Sequence, residues 1–169
     1  MNRLVAILTA KHICYLAALL VLYVLQTTPR LLSVFGVAPV LIIPAAVSIA
    51  MFEGELVGGV YGAFAGLLND MGGGILFGFG GFVLTFFCAL AGLAVAHLMH
   101  CNVWNAILYV LVSSLALLSL EFFFGYWIWG HEGVSVIYLR HTLPIIAYTT
   151  LTSPLVFWFV RAVHGRARA

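Results

Sequence analysis

The sequence predicts an all-α membrane protein, a single domain formed by a bundle of about six transmembrane helices. Hydrophobic residues make up 64% of the 169-residue chain and charged residues only 7%, whereas a soluble domain has roughly 25% charged residues. The apolar residues form long segments that are separated by proline, glycine and polar clusters. Because each crossing needs roughly 20 apolar residues, no soluble domain of useful size fits beside about six of them.

The first three predicted spans cover approximately residues 12–28, 38–52 and 55–71. The first ends at Pro29, and we interpret it as a retained helix because no small-x-small cleavage site follows it. The second is short and carries Pro39 in its first turn and Pro44 inside. Membrane helices tolerate proline where neighbouring groups satisfy the freed carbonyl. The third span is rich in glycine.

The last three predicted spans cover approximately residues 76–97, 103–124 and 142–163. The fourth follows three consecutive glycines, and Pro144 and Pro154 predict kinks in the sixth. Trp127 and Trp129 follow the fifth span and predict an aromatic belt at the membrane interface. The longest connection, 130–140, is expected either to lie on the surface or to cover a site.

An even number of spans places both termini on the same side of the membrane. Five basic residues then share that side and two lie on the other; the first group is Arg3, Lys11, Arg161, Arg166 and Arg168, and the second is Arg30 and Arg140. The positive-inside rule therefore predicts cytoplasmic termini. The net charge of +2 is too small to indicate a nucleic-acid partner.

Four glycines recur at every fourth position of the third span: Gly54, Gly58, Gly62 and Gly66. Residues four apart lie on the same face of a helix, so this row predicts a groove along it. Small residues let helix backbones approach closely in a membrane. The row therefore predicts a central helix against which the other helices pack.

Two acidic residues lie at the ends of predicted spans, and an ionisable group there is expected to face protein or water. Asp70 continues the glycine row. It either accepts hydrogen bonds from backbone amides of residues 71–74 or from a neighbouring polar group, or it contributes to a ligand or proton site. Glu121 either pairs with Arg140 or Arg30 or extends its carboxylate to the interface.

The remaining polar residues indicate no chemistry. His97, His100 and Cys101 can share a helix face, but no fourth ligand is evident. Glu53 and Glu55 precede the third helix, where acidic residues favour its dipole. No nucleotide-binding, serine-hydrolase or zinc-protease motif occurs in the sequence. We therefore expect no enzyme activity, no metal and no cofactor.

The stretch 39–97 resembles the rod-shape-determining MreD family. The similarity lies in Pro39 at the start of the second span, in a small-x-x-x-small helix that ends in Gly66 and Asp70, and in a hydrophobic–glycine pair that ends in Gly78. The resemblance implies a multi-pass scaffold of the bacterial cytoplasmic membrane. It would recruit or stabilise MreC, and indirectly MreB, RodA and a class B penicillin-binding protein; a homodimer is compatible with it.

A similar glycine-rich pattern occurs in the substrate-binding S components of energy-coupling-factor vitamin transporters, which gives an alternative function. That resemblance implies a ligand pocket near the outer face, with Asp70 and Glu121 among its lining groups, and an S-component-like bundle. Few Asn, Gln, Asp or Glu side chains are present to orient a polar ligand. The scaffold is therefore the preferred prediction.

Overall fold

A computed structural model describes residues 2–28, 37–73, 77–98, 100–127 and 137–166. These residues form six α-helices and no β-strand: α1 (Asn2–Thr27), α2 (Ile42–Glu53), α3 (Glu55–Met71), α4 (Phe79–His97), α5 (Val103–Phe122) and α6 (Leu143–Arg166). A five-residue π-helical segment, Phe123–Trp127, continues α5, and a second, Tyr138–Thr142, leads into α6. The predicted all-α fold is confirmed.

Four segments of the described chain are long and apolar enough to cross a membrane: Ala10–Thr27, Phe79–His97, Val103–Gly125 and Tyr138–Gly165. The second helix is shorter than its predicted span, since α2 has 12 residues and therefore extends about 18 Å. The hydrocarbon core of a bilayer is about 30 Å thick. Hence α2 is too short to cross a membrane by itself.

The centre of the bundle is α2, and the sequence-based prediction that the glycine-rich α3 is central is wrong. All ten residues from 42 to 51 are buried, and α2 contacts each of the other five helices. A helix that is apolar on every side is stable only when it is surrounded. In contrast, α3 buries one face and exposes Leu56 and Val60 on another.

Side chains from two other helices satisfy the backbone at the start of α2, which lies inside the bundle. The N–H of Val40 donates to Thr149 Oγ1 of α6 at 3.0 Å. The N–H of Ile42 donates to Gln26 Oε1 of α1 at 3.2 Å. Because the first N–H groups of a helix have no partner within it, Gln26 stabilises the first turn of α2, and Thr149 holds the segment that leads into it.

The middle of α1 and the last turn of α6 meet near one end of the bundle. Tyr15 Oη lies 2.6 Å from His164 Nδ1. This contact joins α1 to the end of α6. The cytoplasmic placement of this end stays a prediction.

Candidate functional site

The glycines of α3 lie where neighbouring backbones approach most closely. A Cβ atom at Gly62 would be 2.7 Å from the carbonyl oxygen of Leu84 in α4, and one at Gly66 would be 2.5 Å from the Cα of Gly81. A Cβ at Gly58 would be 2.5 Å from the Cβ of Ala50 in α2. These separations are shorter than any ordinary carbon contact, so a side chain at these three positions requires the helices to move apart.

Gly54 is not part of this helical face, contrary to the prediction. It lies in the turn between α2 and α3 with φ 88° and ψ −174°, a conformation that is essentially restricted to glycine. The backbone of Gly54 instead packs against Gly92 of α4. A Cβ added at Gly92 would lie 2.6 Å from the carbonyl carbon of Gly54. The contribution of α4 was missed by the sequence analysis, although Gly81 and Gly92, eleven positions apart, lie on one helix face.

Asp70 caps the beginning of α4. Asp70 is 5% exposed, and its Oδ2 accepts hydrogen bonds from the N–H groups of Gly78 at 2.8 Å, Gly80 at 3.1 Å and Gly81 at 3.5 Å. The sequence analysis instead named the amides of residues 71–74 or a polar group of a neighbouring helix. The difference arises because α4 starts beside the end of α3, where Gly78 adopts φ 91°. A carboxylate at this position also favours the helix dipole.

The Asp70 cap leads to a prediction about stability. Asp70→Ala is expected to lower the free energy of unfolding by about 2–3 kcal/mol, because it leaves buried N–H groups without an acceptor. Asp70→Asn keeps a carbonyl oxygen for these donors and is expected to cost about half as much. Thermal unfolding of the two purified variants in the same detergent checks the order. Equal stability of Asp70→Ala and the unmodified protein would contradict the capping role.

A polar cavity of about 490 Å³ opens near the same end of the bundle. It is lined by Gln26, Thr27, Val40, Asn69, Gly72, Gly73, Leu118, Glu121 and Ile145. Oε1 of Glu121 is buried and has no hydrogen-bond partner, and the same holds for Oδ1 of Asp70. Thus both acidic residues singled out in the sequence carry one unsatisfied oxygen.

The partner predicted for Glu121 is not found in the described part of the chain. Arg140 is exposed, and the ion pairs seen among the described residues do not include Glu121. Arg30, the alternative partner, lies outside the described residues. The alternative, that the carboxylate extends to the membrane interface, stays a prediction.

A second polar cluster lies at the opposite end of the bundle, and the sequence analysis missed it. Lys11 Nζ of α1 pairs with Glu53 Oε1 at the end of α2, at 2.5 Å. The same oxygen accepts a hydrogen bond from the Tyr15 hydroxyl at 2.8 Å and lies 3.1 Å from His164 Nδ1. Lys11 is only 8% exposed. Glu53 therefore binds three helices together, whereas the sequence analysis assigned it to the dipole of α3.

The end of α5 and the start of α6 border an apolar groove of about 680 Å³. Its lining residues are Ser119, Leu120, Phe122, Phe123, Trp127, Tyr138 and Leu139. Ser119 Oγ and the Tyr138 hydroxyl form a hydrogen bond of 2.8 Å in its wall. Trp127 is exposed, as the predicted aromatic belt requires, while Trp129 and most of the connection 130–140 lie outside the described residues.

Across the residues that the structure describes, no group of three or more His, Cys, Asp and Glu side chains is arranged to hold a metal ion. The polar side chains in the two clusters instead join helices to one another. Fold and site together define an all-α, multi-pass membrane protein that is assembled around a short buried helix. Comparison with family models, with curated proteins and with solved structures finds no match to this chain.

Proposed function

We propose that this chain is a non-catalytic scaffold of the bacterial cell-shape machinery, like the MreD proteins that it resembles. The observation that carries the proposal is that residues of the shared pattern form one structural unit. Asp70 binds the amide of Gly78 at 2.8 Å, and Gly66 lies against the backbone of Gly80 and Gly81. These residues of the shared pattern therefore join α3 to α4.

The distribution of polar side chains supports a scaffold. Glu53 connects α1, α2 and α6, and Asp70 connects α3 and α4, so these groups serve the packing of the bundle. The outward faces carry large apolar side chains, such as Leu56, Phe82 and Leu155. Surfaces of this kind contact lipid or the helices of other membrane proteins.

The proposed partners follow from the resemblance. The chain would lie in the bacterial cytoplasmic membrane with both termini in the cytoplasm. It would recruit or stabilise MreC, and through MreC it would act on MreB, RodA and a class B penicillin-binding protein during peptidoglycan synthesis. A homodimer is compatible with this role.

Depletion of the protein in its native cell tests the proposal. We expect rod-shaped cells to widen and become round, and expression of the unmodified chain to restore their width. Asp70→Ala is expected to restore shape poorly because the cap of α4 is lost. Gly59→Ala serves as the matched control, since a Cβ at Gly59 would have its nearest neighbour 3.7 Å away. Normal cell width after depletion would contradict the proposed function.

A further inference from the structure

A cavity of about 430 Å³ lies where α4 ends and the connection to α5 begins. It is lined by Val95, Ala96, His97, Leu98, His100 and Cys101. The two histidines and the cysteine are exposed, so the polar part of the cavity can be reached from outside the bundle. Among the described residues, its lining includes two imidazole groups and a thiol but no acidic side chain.

Arg161 of α6 brings a permanent positive charge to the same region. Burial raises the pKa of the Cys101 thiol, and the charge of Arg161 acts on this pKa in the opposite direction. The guanidinium group therefore lies near the cysteine that lines the cavity. Arg161 is exposed, and the ion pairs seen in the described part of the chain do not include it. Its N–H donors are thus available to a ligand.

The charges around this cavity favour an anion. The end of α4 and the start of α5 contribute partial charges of opposite sign, so the side chains decide which ligand charge is preferred. Residues 161–168 contain three arginines and no acidic residue. Two acids lie at this end of the bundle, but Glu53 is paired with Lys11, and Glu55 lines a separate groove. Arginine and histidine are donors that suit phosphate oxygens.

The surface next to the cavity is apolar, which favours a lipid over a soluble phosphate compound. Leu98 is 81% exposed at the end of α4, and Trp104 is 77% exposed in the first turn of α5. Exposed tryptophan is typical of the boundary between membrane and water. A phosphate group in the cavity would lie at the level of the lipid headgroups, with its acyl chains along the apolar surface of α4 and α5. Basic pockets between transmembrane helices bind anionic headgroups in this way.

We propose that this cavity binds the phosphate group of an anionic phospholipid from the leaflet that surrounds this end of the bundle. Arg161 pairs with the phosphate, and the rings of His97 and His100 donate hydrogen bonds to its oxygens. Under the predicted topology this is the cytoplasmic leaflet. The lipid site is separate from the scaffold function, and neither depends on the other.

Lipids with the same acyl chains and different headgroups test the proposal. The full-length protein in a neutral detergent is titrated with phosphatidylglycerol or phosphatidylcholine, and native mass spectrometry measures the affinity for the first lipid. We expect phosphatidylglycerol to bind about fivefold more tightly or better, and an equal concentration of inorganic phosphate to leave this preference unchanged. Equal affinity for the two lipids would overturn the proposal. Loss of the preference in inorganic phosphate would also overturn it, because the site would then be one for free anions.

Two variants locate the site. The double variant Arg161→Gln with His100→Gln is expected to lower the affinity for phosphatidylglycerol to that for phosphatidylcholine, because the charged donors are lost. Arg140→Gln removes an exposed arginine before the start of α6 and is expected to keep the preference. A preference that persists in the double variant, or that is lost equally in both proteins, would contradict the assignment to this cavity. The comparison of the two lipids on the unmodified protein needs no variant to fold.

Discussion

Gly66→Ala is expected to lower the free energy of unfolding by about 3 kcal/mol, the upper part of the range for overpacking. The new Cβ would lie against the carbonyl group of Gly80 and 2.5 Å from the Cα of Gly81. All of these neighbours are backbone atoms, so no change of side-chain rotamer relieves the clash. The helices α3 and α4 must therefore separate, and this separation also pulls Asp70 away from the amides it caps.

Gly59→Ala is the matched control in the same helix. Its Cβ would meet Ala89 Cβ at 3.7 Å and Thr85 Cγ2 at 3.8 Å, which are ordinary contacts. Alanine also favours the helical state over glycine by up to about 1 kcal/mol. We therefore expect Gly59→Ala to be neutral or stabilising. Reversible unfolding of both variants in the same mixed micelles checks this, and equal effects would contradict the close approach at Gly66.

Glu53→Leu is expected to cost about 3–5 kcal/mol, because it leaves the ammonium group of Lys11 buried without its counter-charge. Lys11 is 8% exposed and bonded to Glu53, and the change also removes the acceptor of the Tyr15 hydroxyl. The double variant Lys11→Met with Glu53→Leu removes both charges. It is expected to recover at least about 1 kcal/mol relative to the sum of the single effects.

A double-mutant cycle on the free energy of unfolding measures this coupling. Glu55→Leu is the control, because Glu55 is exposed and lies two positions away. It is expected to change stability by less than about 0.5 kcal/mol. Strictly additive effects at Lys11 and Glu53 would show that the ion pair does not hold α1 to α2.

The features of the fold that can be predicted from the sequence are those that depend only on local sequence pattern. Long apolar segments predict helices, and four-residue spacing places Gly58, Gly62 and Gly66 on one face. The position of Asp70 after this row predicts that it contacts protein. These predictions need only the periodicity of a helix and the cost of an ionisable group in lipid.

The features that the sequence analysis missed depend on which helices become neighbours. Tyr15 and His164 are 149 positions apart, and Tyr15 and Glu53 are 38 positions apart, so no spacing rule links them. The central place of α2 had a signal, since this segment is apolar on every side. The sequence analysis instead placed α3 at the centre because its glycines recur at every fourth position.

The unsatisfied oxygen of Glu121 also depends on tertiary structure. The sequence offers Arg140 as a partner by proximity to the same predicted membrane side. Arg140 instead lies exposed in the π-helical segment before α6. Only the assembled bundle shows that Oε1 of Glu121 is buried without a hydrogen-bond partner and that Glu121 forms no ion pair in the described part of the chain.

The scaffold function is tested most directly by extraction of the tagged protein from its native membrane in mild detergent, at native expression level, with mass spectrometry of the proteins that copurify. We expect recovery of MreC together with RodA and a class B penicillin-binding protein, and loss of these partners in Gly66→Ala but not in Gly59→Ala. Copurification of transporter ATPase subunits without MreC would contradict the scaffold function and would favour a substrate-binding transporter component.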